Sequence, residues 1–90
     1  MTKRNRLEII KDILDVIKSK NGKIKPTHIL YKSNLSHGMM EEYLQELIDK
    51  KFILLEVKNK SKTYSITEKG QQYLDQYKLI SEFTESFGLS

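Results

Sequence analysis

The sequence predicts one small, mainly α domain carrying a single β-hairpin, with its elements in the order helix, helix, helix, strand, strand, helix. Three observations point there. Apolar residues recur at helical spacing in three blocks before residue 51 and in one block after residue 67. Two short runs rich in large apolar and β-branched residues lie between those blocks. A chain of 90 residues has room for one core only, burying roughly 60 to 65% of the surface its unfolded form exposes.

The first helix is expected from about Asn5 to Ser19, because Leu7, Ile9, Ile10, Ile13, Leu14, Val16 and Ile17 recur at helical spacing with Lys11, Asp12, Asp15 and Lys18 between them. Asn21-Gly22 ends it. Pro26-Thr27 starts a short second helix, with Thr27 as the expected N-cap, running through His28, Ile29, Leu30 and Tyr31 until Ser33-Asn34 breaks it. Ser36 caps the third. There Met40, Leu44, Leu47 and Ile48 share one face with Tyr43 at its edge, and Gly38, Glu42, Gln45, Glu46 and Asp49 lie opposite. Two helices joined by a three- or four-residue turn form a helix-turn-helix.

Phe52 to Val57 and Thr63 to Ile66 read as the two strands of a hairpin, with Lys58-Asn59-Lys60-Ser61-Lys62 as a lysine-tipped loop. Thr67 is the N-cap of a last helix from Glu68 toward Phe87. Along it Tyr73, Tyr77, Ile80 and Phe87 fall on one line, with Leu74 and Phe83 beside it and Thr84 interrupting. A stripe of that length exceeds the surface that so small a domain offers it, so a homodimer is expected.

Charge is divided unevenly along the chain. The formal net charge is +4, which suits an anionic partner. Residues 1 to 35 hold nine bases and three acids, and 51 to 62 four bases and one acid, whereas 36 to 50 hold four acids and one base. Fourteen of the sixteen cations are lysines; Arg4 and Arg6 are the two arginines. With no cysteine there is neither a disulfide nor a thiolate metal site, which fits a reducing cytoplasm. No apolar run is long enough to span a membrane, and no signal peptide is read at the start. His28 and His37 are not spaced as metal ligands, Ser36-His37 is mere adjacency, and the four glycines are isolated. Neither an enzyme nor a cofactor is therefore expected.

Two stretches, "LSHGMMEEYLQELIDKKFI" (Leu35 to Ile53) and "YSITEKGQQYL" (Tyr64 to Leu74), resemble respectively the recognition helix and the strand-to-helix junction of winged-helix regulators. With "PTHILYKSNLS" (Pro26 to Ser36) they are most similar to the small archaeal winged-helix DNA-binding proteins whose carboxy-terminal helix dimerises as an antiparallel coiled coil. The resemblance covers about residues 7 to 80. It implies a winged helix-turn-helix domain over 7–67 with recognition helix 36–50 and wing 52–66, followed by a dimerisation helix over 68–87, and the basic residues before the domain are expected to form a flexible tail over 1–6.

On that pattern the partner is double-stranded DNA. The third helix would present His37, Gly38, Met39, Glu42 and Gln45 to the major groove. The helix starts at Thr27 and Ser36 would each hold a phosphate, Lys58, Lys60 and Lys62 would flank the next groove, and Arg4 and Arg6 would enter a minor groove. Tyr73, Tyr77, Ile80, Phe83 and Phe87 would form the dimer interface. The protein is then a transcriptional regulator or a chromatin-associated protein. The competing reading is a protein-docking winged helix whose acidic third helix receives a partner. Glu42 poses the sharpest question, since it projects from the same face as Gly38.

Overall fold

The computed structural model describes residues 4–19 and 24–88, so Asn21-Gly22 and residues 1–3 of the expected tail lie outside the described residues. The elements are α1 (Arg6–Ser19), α2 (Pro26–Ser33), α3 (His37–Asp49), β1 (Ile53–Lys58), β2 (Ser61–Ile66) and α4 (Glu68–Ser86). Their order is the one the sequence predicts.

Helix α1 begins where Asn5 Oδ1 accepts from the Glu8 amide at 2.8 Å, an Asn cap on the first turn. Its buried face is Ile9, Ile10, Ile13, Leu14 and Ile17. Leu7 is not part of that face; it is 56% exposed. Helix α2 starts two residues earlier than expected, for a definite reason. Pro26 occupies the first helical turn, where its fixed φ fits and its missing N–H is no loss, so Lys25 becomes the N-cap and Thr27 lies inside the helix with no capping role. Asn34 in the left-handed region (φ 54°, ψ 47°) then turns the chain into Leu35 and Ser36. Ser36 caps α3 as expected, its hydroxyl oxygen accepting from the Met39 amide at 3.2 Å.

At the other end of α3 the Phe52 amide donates to the Leu47 carbonyl at 2.9 Å and the Lys51 amide to Ile48 at 3.0 Å. With Lys51 at φ 67° this is a Schellman closure built without glycine. The hairpin follows at once. Its turn has two residues where five were expected: Asn59 and Lys60 both have positive φ (50° and 64°), as a two-residue type I′ hairpin turn demands. Lys58 and Lys62 are consequently strand residues, paired in register with Ser61 and Val57. Cross-strand partners share a face and neighbours along a strand alternate. Lys62 therefore shares a face with Val57, Leu55 and Tyr64, Lys58 lies on the opposite face, and Lys60 is at the tip.

Tyr64 has a second partner. Its N–H and C=O exchange hydrogen bonds with Ile24 at 2.8 and 3.0 Å, which adds a one-residue bridge on the far side of β2. The core is contiguous, with Ile13, Leu14, Ile17, Ile24, Ile29, Leu47 and Ile53 almost wholly excluded from water. Gly70 and Leu74 of α4 are also buried, so α4 cannot be divided from residues 7–67 as a separate unit; its first half covers α1. Its second half extends away from the core, consistent with overall dimensions of 50 × 29 × 21 Å.

The junction quoted above as "YSITEKG" has a mechanical meaning. Thr67 accepts from the Gly70 amide at 3.1 Å, and its hydroxyl lies 2.6 Å from the Lys51 carbonyl and 2.9 Å from that of Phe52. Lys69 donates to the Lys50 carbonyl at 2.8 Å and lies over the Phe52 ring. Gly70 packs against Phe52 itself. Threonine, lysine and glycine thus fasten the start of α4 to the turn between α3 and β1, which fixes the hairpin relative to α3.

A candidate nucleic-acid interface on the third helix and the hairpin

Three long apolar side chains, Met40, Leu44 and Leu47, seat α3 on the core. The helix leaves His37, Gly38, Met39, Glu41, Glu42, Gln45 and Asp49 exposed. Met40 is the buried methionine and Met39 the exposed one, as their spacing implies. A Cβ added to Gly38 would meet nothing within 4 Å, so the domain's own packing does not require glycine there. Beside α3 runs a groove with Glu41, Glu42 and Gln45 on one wall and Leu55, Lys62 and Tyr64 on the other. Lys58, Lys60 and Lys62 are all exposed. The hairpin therefore spreads its cations over both faces and its tip.

The acids of α3 are unequal. Glu46 is held by Arg6, which donates to both of its carboxylate oxygens, and Lys50 lies 3.4 Å away. The Arg6 hydrogen bond holds the Glu46 carboxyl below the ordinary glutamate range. A lowered folded-state value means that the pair's contribution is complete at neutral pH and is lost only as acidification carries the pH down through that value. Asp49 accepts from Gln45 Nε2 at 2.9 Å, and Glu41 lies 3.6 Å from His37 Nε2. For Glu42 no hydrogen bond or ion pair is found among the described residues. Three of the four acids thus have a partner within the domain, Glu46 alone a permanent cation, and Glu42 has none among the described residues.

Arg4 and Arg6 depart from the expected loose arm. Arg4 donates to Asp12 at 2.8 Å and to the Ser33 carbonyl at 2.8 Å, closing on the last turn of α2, where carbonyls lack helical partners. Arg6 is fixed to Glu46 with its guanidinium 5.7 Å from the Tyr43 ring centre. Both arginines are used inside the fold. The Asn5-x-x-Glu8 spacing, a start signal for α1, was the clue that this segment is not a tail.

On α4 the five expected interface residues separate into two groups. Tyr73 serves its own domain: its hydroxyl donates to the Leu7 carbonyl at 2.9 Å, its ring meets Phe52 edge-on, and Tyr77 stacks on it. Ile80, Phe83 and Phe87 are 61 to 65% exposed, and Leu79, which a single line along the helix overlooks, is 60% exposed. At about 100° per residue these four span an arc of roughly 100°. Among the described residues there is no cluster of metal-ligating groups and no helix long and apolar enough to cross a membrane.

A sequence model described as winged helix-turn-helix matches residues 3–85. An uncharacterized protein of Methanocaldococcus jannaschii is 33% identical over 73 residues, covering 81% of this chain. The chain spans only about a third, 32%, of that relative's length. Among solved structures, Sso10a-2, a DNA-binding protein from Sulfolobus solfataricus, superposes with a TM-score of 0.81 at 25% identity, covering 93% of this chain and 85% of that one. MepR, a transcription regulator of the Staphylococcus aureus multidrug efflux pump MepA, superposes at 0.76 with 17% identity, covering 88% and 60%. That likeness is one of fold.

Proposed function

Since this chain belongs to the winged helix-turn-helix family, we propose that it binds double-stranded DNA as a dimer, serving as a transcriptional regulator of archaeal type or as a chromatin-associated protein. One observation carries the reading: the exposed amino-terminal half of α3 stands beside a hairpin whose only exposed cations, Lys58, Lys60 and Lys62, surround its tip. An α-helix fits the major groove, and flanking lysines supply phosphate contacts. The DNA-binding character of Sso10a-2 supports it. His37, Gly38, Met39, Glu42 and Gln45 then face the base edges, and the Ser36 cap places α3's free amides near a phosphate. Thr27, exposed in the first turn of α2, can offer a phosphate its backbone amide and its hydroxyl.

Glu42→Lys tests whether α3 enters DNA. A carboxylate there repels phosphate unless a cytosine amino group meets it. Replacement should tighten binding to arbitrary duplex and steepen the log-log salt slope by about 0.9 for each protomer of the dimer. An unchanged slope would mean that α3 stays outside the groove.

Dimerisation is assigned to the far half of α4, through Leu79, Ile80, Phe83 and Phe87. The double variant Ile80→Glu, Phe83→Glu should convert a dimer to a monomer by light scattering while leaving helix content intact by circular dichroism. A wild-type monomer would contradict the assignment.

The second reading, docking of a basic protein partner, draws on the fact that α3 contains no lysine or arginine. It is distinguished by a stoichiometric co-purifying protein together with no duplex shift at low salt.

A further inference from the structure

The chain's two guanidinium groups, its only planar multi-donor cations, both fold back onto the domain's own surface from the first turn of α1 and the residues before it. Arg4 ties Asp12 of α1 to the carbonyls of Ser33 and Asn34, the last at 3.3 Å, at the turn between α2 and α3. Arg6 Nη2 donates to both carboxylate oxygens of Glu46 on α3, and the guanidinium lies against Tyr43. The next residue, Leu7, offers its carbonyl to Tyr73 of α4. Three consecutive helices thus depend on one short segment.

Arg6 acts at one edge of the face by which α3 is seated. That face comprises buried Met40, Leu44 and Leu47 with half-buried Tyr43 and Ile48 on either side, and any rotation about the helix axis moves its Tyr43 edge. Side-chain tips lie roughly 5 to 6 Å from that axis, so a rotation of about 20° displaces them by about 2 Å. Such a displacement is enough to break a hydrogen bond to a base edge. Glu46 and Tyr43 lie side by side at that edge, and a charge-assisted arginine-carboxylate hydrogen bond is directional.

We propose that Arg6, with Glu46 and Tyr43, is a positioning clamp that sets the rotation of α3 and so its sequence selectivity, and that Arg6 is not itself a DNA ligand. The inference rests on the DNA-binding reading above. Phosphate contacts hold a protein on the duplex while base contacts specify, so losing the clamp removes selectivity and leaves wing-mediated binding in place.

The test uses Arg6→Gln, the exchange Arg6→Glu with Glu46→Arg, and two duplexes: one enriched by binding-site selection on the wild-type protein, the other its scrambled counterpart. For Arg6→Gln the affinity ratio between the two should fall roughly tenfold, the scale of one lost base-pair contact. Binding to the scrambled duplex should change less than about twofold, with the same salt slope. The charge exchange, which remakes the pair and guards against a poorly folded single variant, should restore the ratio. The clamp is overturned by an unchanged ratio, by failure of the exchange to restore it, or by a salt slope reduced on both duplexes by about 0.9 for each protomer engaged, which would make Arg6 a phosphate ligand. Failure of selection to enrich any sequence also overturns it. A wild-type protein that shifts neither duplex overturns the DNA reading, and the clamp's role in selectivity with it.

Discussion

Replacing Gly70 with alanine is expected to destabilise the domain by about 2 to 4 kcal/mol, although the same change in an exposed helix stabilises. Alanine gains roughly 0.5 to 1 kcal/mol over glycine in a helix interior. Here the new Cβ would fall 2.4 Å from the Phe52 carbonyl oxygen and 2.7 Å from Ile66 Cγ1. Overpacking of that kind costs about 1 to 3 kcal/mol. The carbonyl has little freedom to withdraw, because it accepts from the Thr67 amide at 3.1 Å and lies 2.9 Å from the Thr67 hydroxyl. Displacing it sacrifices hydrogen bonds worth about 1 kcal/mol each. Clash therefore outweighs propensity. For a domain of this size the melting temperature should fall by roughly 10 to 20 °C, at about 4 to 8 °C per kcal/mol. An unchanged or higher melting temperature would show that the α4 start is not fastened to the α3–β1 turn as described.

Removing the wing lysines together, Lys58→Ala, Lys60→Ala and Lys62→Ala, should give the largest loss of DNA affinity from surface residues. If all three neutralise phosphates in both protomers of the dimer, the log-log salt slope shrinks by up to about 5.4, and affinity in 0.1 M salt falls by up to roughly 10⁵-fold. The fold should be little affected, because all three are exposed and the turn is set by Asn59 and Lys60 backbone geometry. Only Lys60 needs care. Its φ of 64° is strained for any residue but glycine, so Lys60→Gly serves as the control that removes the charge without strain. The three positions also report orientation. Lys58 and Lys62 occupy opposite faces of the hairpin, so a hairpin that inserts its tip into a groove uses both, while one lying flat against the backbone uses one. Equal losses from the two single variants indicate insertion; a loss from Lys62→Ala alone indicates contact on the face shared with α3.

What the sequence revealed of this fold follows from the range over which each signal acts. The seating of α3 by Met40, Leu44 and Leu47 is visible because one helical period contains it, and the Ser36 cap because it acts over three residues. Pro26 and Thr27 offered two start signals one residue apart, and the ring geometry of proline decided between them. The turn at Asn59-Lys60 lacks the glycine that marks most type I′ hairpins, which made the loop look longer than it is. Ile24 pairs with Tyr64 through a single residue, too short a segment to show a strand pattern. The reach of Arg6 to Glu46 crosses 40 positions and has no local trace at all. That is why two arginines that read as a loose arm have hydrogen-bond partners within the domain, and why Glu46 read as a bare acid although Arg6 and Lys50 lie beside it. Leu79 was missed for a simpler reason, since it lies at the margin of the apolar arc rather than on the line drawn through Tyr73, Tyr77 and Ile80.

The account stands most directly on the binding of duplex DNA through phosphate neutralisation, measured as equilibrium affinity for a duplex across a series of salt concentrations. A dimer presenting two hairpins and two α3 starts, with six to ten phosphates engaged, predicts a straight log-log plot with a slope of about −5 to −9. A flat plot, or no duplex binding at low salt, would contradict it.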